Sequence, residues 1–242
     1  MQKRAMAKKR QQRSIVAKRR FFQRVHSNSW QKVKVASVGK IKPGDMILTV
    51  SQRHTFGGFF NRAVAKLSDG KFAHVAACTN IAGSKPMIND FKGSYGHRQL
   101  SFDQLAKTGV NLKVVRWKNI SPNQLDSFIH NLKLIPTIGN KYDFFQSGYY
   151  GLRVLYKHAT GKEIPQKLLV DIKKRFTCSE YISTAAKPNA KEIFSHGLKQ
   201  IRPKLEFSKN ENRELVTPAI IDAAVDAGIL ELVTEQTWQH SK

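Results

Sequence analysis

From residue 41 onward the chain strings together short apolar runs separated by turn residues, and the runs carry two different periods. After the Pro43-Gly44 turn, MILTV at 46–50 predicts a buried strand. FFNRAVAKL, with Phe59, Phe60, Ala63, Val64 and Leu67 at helical spacing, predicts a helix closed by the Ser68-Asp69-Gly70 turn. FAHVAACT then reads as a strand. Its period of two puts Phe72, His74, Ala76 and Cys78 on one face and Ala73, Val75 and Ala77 on the other. PMIND and LKVVRW predict two further strands. At SPNQLDSFIHNLKLI, Ser121 as N-cap, Pro122 at the first helical position and the stripe Leu125, Phe128, Ile129, Leu132, Ile135 predict a helix. IPQKLLVDIKKRF predicts another, ending just before Thr177, and TCSEYISTAA opens the next. VTPAIIDAAVDAGILELV predicts a last helix with Thr217 as cap and Pro218 behind it, its apolar residues continuing at helical spacing. Strands gathered ahead of helices predict an α+β domain.

Charge adds a second part to this picture. The 242 residues suffice for one large domain, and 40% hydrophobic content is ordinary for one, but the formal charge of +25 is not. Fourteen lysines and arginines precede the first acid, Asp45. Residues 1–36 therefore read as a basic, flexible arm and 37–242 as the domain. Such an arm predicts a polyanionic partner, either nucleic acid or an anionic membrane surface. No apolar run approaches the roughly 20 residues of a membrane span, and no apolar signal region follows the basic start. The chain is expected to be soluble and cytoplasmic as synthesised, so work outside the cell requires a non-Sec export route or delivery in a virion. Cys78 and Cys178 are the two cysteines, too few for a disulfide scaffold or a cysteine metal site. Neither a metal nor a cofactor is expected.

Cys178 carries the candidate chemistry. Thr177 and Glu180 form a Thr-x-x-Glu capping box, which places Cys178 in the first helical turn beside unpaired backbone N–H groups. Those groups favour a thiolate and a developing oxyanion. A cysteine nucleophile also needs a base and a third polar group to orient that base. His74 is the candidate base. The third group falls on the next strand, at Asn89 or Asp90, and since neighbours on a strand face opposite ways only one of the two can serve.

In order along residues 38–230, GDMILTV, AHVAA, KPMIND, GNKYDFF, TCSE and VTPAIIDAA resemble the permuted NlpC-type papain-fold cysteine hydrolases of bacteria. The resemblance implies a circularly permuted papain-like fold, a central antiparallel sheet or partial barrel packed by helices, with His74 ahead of Cys178 in the chain. It implies Cys178 as nucleophile and His74 as general base and then acid. Asp90 best fits the third catalytic place, at Lys85-Pro86-x-x-x-Asp90 where the family commonly presents a glutamate; Asn89 is the alternative. Tyr142, beside Asp143, would line the cleft, and Asp45 and Glu180 would be structural. The implied activity is that of a thiol peptidase or amidase acting through an acyl-enzyme on cell-wall peptide or a similar amide. Relatives of the fold also hydrolyse or transfer acyl groups of lipids and thioesters. A reading of another class is a nucleic-acid-associated or phage virion protein, with the fold as scaffold and the arm on polyanion. Between the Tyr142 and Cys178 motifs, Tyr149, Tyr150, Arg153, Tyr156, Lys157 and His158 interleave aromatics with cations and would shape substrate selection.

Overall fold

The computed structural model describes residues 30–52, 62, 65, 70–92, 96–107, 109–139, 141–142, 156, 160, 175–179, 181–186 and 217–240. In chain order these form β1 (Trp30–Lys34), β2 (Met46–Ser51), β3 (His74–Ala82), β4 (Lys85–Lys92), β5 (Gly96–Ser101), α1 (Phe102–Leu105), β6 (Val110–Trp117), α2 (Pro122–Ile138), β7 (Lys141–Tyr142), β8 (Arg175–Phe176), α3 (Pro218–Asp226) and β9 (Leu230–His240). Residues 178–179 and 181–186 are also helical, and we refer to them as the cysteine helix. The architecture is α+β around a seven-stranded antiparallel sheet in the order β1-β9-β6-β2-β3-β4-β5. β7 and β8 form a separate parallel pair.

The strand period explains how the sheet is covered. Met46, Leu48, Val50, Val75, Ala77, Phe91, Val115 and Trp117 lie on one face and pack with Phe128, Leu132 and Ile135 of α2, Tyr181, Ile182 and Ala185 of the cysteine helix, and Ile220 and Ile221 of α3. The alternate residues Ile47, Ala76, Cys78, Ile88, Leu112 and Val114 turn to the other face and meet Ile41, Leu100, Phe102 and Leu105. Nearly every central strand is thus buried on both sides. α2 starts as its sequence predicts, with Pro122 after Ser121, and Gln124 completes a reciprocal capping box with Ser121.

Two tight fits set the entry to the sheet. Gly44 has φ +90°, a conformation that strains any side chain, and a Cβ there would also lie 2.5 Å from Leu125 Cδ1 and push it aside, so this turn favours glycine. Asp45, fully buried, accepts from the Lys42 N–H at 2.8 Å and from Arg116 Nε and Nη2 at 2.7 and 2.9 Å. The carboxylate therefore ties the turn to β6.

Three segments differ from their sequence reading. Residues 30–34, assigned to the arm on composition, form β1 on the edge of the sheet, paired with β9 from Trp30↔His240 to Lys34↔Thr237. Lys32 lies over the Trp238 ring and Lys34 pairs with Glu235, so cations on this edge pack rather than signal a tail. The last helix stops at Asp226. Gly228, with φ +73°, turns the chain, and Leu230–His240 becomes β9. Arg175 and Phe176, read as the end of a helix, form β8 instead. Of the helix predicted around 59–67, Arg62 and Ala65 are described and helical; the rest lies outside the described residues, as do 1–29.

Following the registers across the sheet, Ser51 pairs with Val110, Thr49 with His74, and Trp30 with His240 beyond Gln236↔Leu112. β1 therefore begins at the same end of the sheet as His74, four strands away. Among the described residues no helix is long and apolar enough to cross a membrane.

Candidate active site

The cysteine helix begins where the capping argument places it. The Tyr181 N–H donates to the Thr177 carbonyl at 3.1 Å, so Thr177 is the cap and Cys178 the first helical residue. Glu180, the other half of the expected capping box, lies outside the described residues. β8 ends one residue before Thr177 and pairs Phe176 with Tyr142, which brings the Tyr142 backbone beside the start of this helix. The Tyr142 side chain and its expected cleft-lining role lie outside the described residues. Within the 146–164 insertion, Tyr156 and Thr160 are helical and exposed; the other residues singled out there are outside the described set.

Cys178, His74 and Asp90 come together. Cys178 and His74 are hydrogen-bonded to each other, and the Val75 N–H also donates to the sulfur. That donor is available because the β3–β4 pairing begins only at Ala77↔Asn89. His74 Nε2 donates to Asp90 Oδ1 at 2.5 Å, which leaves Nδ1 for the sulfur. The site is shielded: relative exposure is 7% for Cys178, and 15% and 0% for the His74 and Asp90 side chains.

Electrostatics favours the charged pair. Burial pushes Cys178 up, but the neighbouring His74 charge and hydrogen bond outweigh it and hold the thiol below its ordinary value. Burial pushes His74 down, yet the charges of Asp90 and Cys178, with hydrogen bonds to both, pull it up to about 10. Asp90 is raised by burial and lowered further by His74 and Arg98, ending at about 2. Both shifts run toward the thiolate and the imidazolium. Cys78 is the contrast, fully buried and pushed up to about 12 by desolvation and by the Asp45 charge.

Asp90 and Asn89 take opposite faces, and a β-bulge decides which meets the histidine. The outer register, Ile81↔Pro86 and Asn80↔Met87, continued inward would pair Ala77 with Asp90 and turn that carboxylate to the helix face. The bulge at Thr79 slips the pairing by one residue, so Asp90 shares the face of Ala76 and His74. Asn89 goes to the other side. Its Nδ2 donates to the Leu132 carbonyl at 3.2 Å, and its Oδ1 accepts from Thr79 Oγ1 and Gln99 Nε2 at 3.3 Å each. Asn89 therefore ties β4 to α2 and does not contact His74.

Arg98, on β5 directly opposite Asp90, has no place in the sequence reading. Its Nε and Nη2 donate to Asp90 Oδ2 at 2.8 and 2.6 Å. A hairpin alignment of KPMINDFK with GHRQLS, three residues apart in the sequence, is the signal that would have found it. Among the described residues no cluster of three His, Cys, Asp or Glu side chains is placed to hold a metal ion. Comparison of the chain with family models, curated proteins and solved structures finds no match.

Proposed function

We propose that the protein is a thiol hydrolase of the permuted papain-like class, cleaving an amide through an acyl-enzyme on Cys178. One observation carries the reading: a cysteine at the first position of a helix is hydrogen-bonded to a histidine whose other nitrogen donates to a buried aspartate. In this mechanism the Cys178 thiolate attacks the substrate carbonyl, and the oxyanion forms beside the first-turn N–H groups. The His74 imidazolium gives its proton to the leaving nitrogen as the C–N bond breaks, leaving a thioester. Neutral His74 then takes a proton from water, which attacks the thioester and releases the acid, while the returned proton restores the pair. Asp90 holds the imidazole in register and stabilises its charged form.

Cell-wall peptide or a similar amide is the favoured substrate class, with lipid or thioester acyl groups as the alternative within the same chemistry. Incubation with peptidoglycan fragments, phospholipid and acyl thioester in turn, with acid quench and mass spectrometry of the Cys178 peptide, is expected to show one acyl adduct whose mass names the class. Absence of an adduct from every arm, with Cys178 intact, would refute the reading.

A second reading concerns the basic arm, and topology supports it. Residues 1–29 carry ten cations and no acid, and they join the sheet at the end that bears His74. We infer that they hold a polyanion near that end, as a nucleic-acid-associated or virion protein would. Nucleic acid affinity is expected to fall roughly 10³-fold between 50 and 200 mM salt and to be lost on deleting 1–29, with β1 retained. Binding that ignores salt, or survives the deletion, would count against it.

A further inference from the structure

Two buried carboxylates in this protein are each gripped by an arginine, and the difference between them is informative. Asp45 spends both oxygens on Arg116 and the Lys42 N–H, and its pair is structural. Asp90 divides its oxygens: Oδ2 takes two bonds from Arg98, and Oδ1 is left to His74. With one oxygen forked by a guanidinium, the carboxylate cannot rotate away from the imidazole.

We propose that Arg98 is a positioning residue of the Cys178 site, acting through Asp90 both to fix the orientation of His74 and to supply the cation that balances the buried charges. The inference rests on the thiol hydrolase reading. Thiolate, imidazolium, carboxylate and guanidinium sum to zero, and removing Arg98 leaves an excess negative charge in a shielded site. Ionising Cys178 then becomes harder, and His74, left as sole counter-ion of Asp90, keeps its proton to higher pH. Both limbs of the thiolate window move up. The other groups that feel the Asp90 charge do not replace the lost cation: burial pushes His97 on β5 down, away from its charged form, and burial pushes the Tyr181 hydroxyl up, away from ionisation. A purely structural Arg98 would lower the reactive fraction or the melting temperature and leave the limbs where they are.

The test is the rate of iodoacetamide alkylation against pH for the full chain, with the adduct assigned to Cys178 by mass spectrometry and folding checked by thermal melting. In Arg98→Met the acid limb is expected about one pH unit above wild type. Arg98→Lys, which keeps the charge without the fork, is expected to retain the wild-type limb. Arg98→Gln keeps a donor toward Asp90 without the charge and is expected to shift like Arg98→Met, so it decides the matter where Arg98→Met does not fold. A low wild-type limb that the neutral variant leaves in place overturns the Arg98 inference alone. A wild-type limb at the ordinary thiol value of about 8.5 overturns the thiolate reading and the Arg98 inference with it.

Discussion

Cys178→Ala is expected to abolish turnover of any acyl substrate, a loss of roughly 10⁴-fold or more in kcat, while the thermal midpoint stays within a few degrees of wild type. The two halves of that expectation have separate causes. Loss of the sulfur removes the bond-forming atom, and no other described side chain at the site replaces it: His74 is engaged with Asp90, and Cys78 lies four residues further along β3, bonded to the Asn80 carbonyl in the second core cluster, with its thiol pushed up to about 12. The fold is spared because the deletion is one atom at the helix start, while the weight of the cysteine helix in the core rests on Tyr181, Ile182, Ala185 and Ala186. Cys178→Ser is expected to be nearly as inactive, since a hydroxyl beside the same histidine is not held as an anion. Turnover above a tenth of wild type in Cys178→Ala, measured on the substrate that gives the adduct, would rule out Cys178 as nucleophile.

The elements that could be read from sequence are those whose apolar period is closed by a stop signal. α2 has Ser121 and Pro122 before its stripe, and β2, β3, β4 and β6 are apolar runs bounded by turns. β1 escaped because an edge strand needs no apolar stripe: its Val33 is exposed, and its lysines lie on Trp238 and Glu235. β9 escaped because Ile229, Leu230 and Leu232 extend the helical spacing of α3, and only the left-handed Gly228 marks the break. At the site, helix start and strand period brought Cys178, His74 and the 89–90 pair into view. The choice between Asp90 and Asn89 was not local information. It depends on one extra residue, Thr79, whose bulge is a property of the β3–β4 pairing. Arg98 was hidden for a similar reason, since its partner is fixed by a hairpin register rather than by a motif.

His74→Ala is expected to cut alkylation of Cys178 by iodoacetamide at pH 7 on the order of 100-fold and to move its acid limb above the ordinary thiol value of about 8.5. The sign follows from the forces on the sulfur. Burial is the largest of them and raises the thiol; the His74 charge and hydrogen bond reverse it, with help from the Val75 N–H, and the Asp90 charge opposes them. With the imidazole gone, burial and the uncompensated part of the Asp90 charge remain, and one backbone donor is too little to offset both. In wild type the thiolate window runs from a Cys178 limb held below the thiol's ordinary value to a His74 limb near 10. Asp90→Asn separates the two functions of the dyad. It keeps a side chain of the same shape against His74 but removes the charge that raises the imidazole, so the upper limb is expected to fall while the thiol, freed of a nearby anion, still ionises beside a histidine. Equal alkylation rates for wild type and His74→Ala at pH 7 would sink the pairing, and with it the claim that the thiol is activated by anything beyond the helix start.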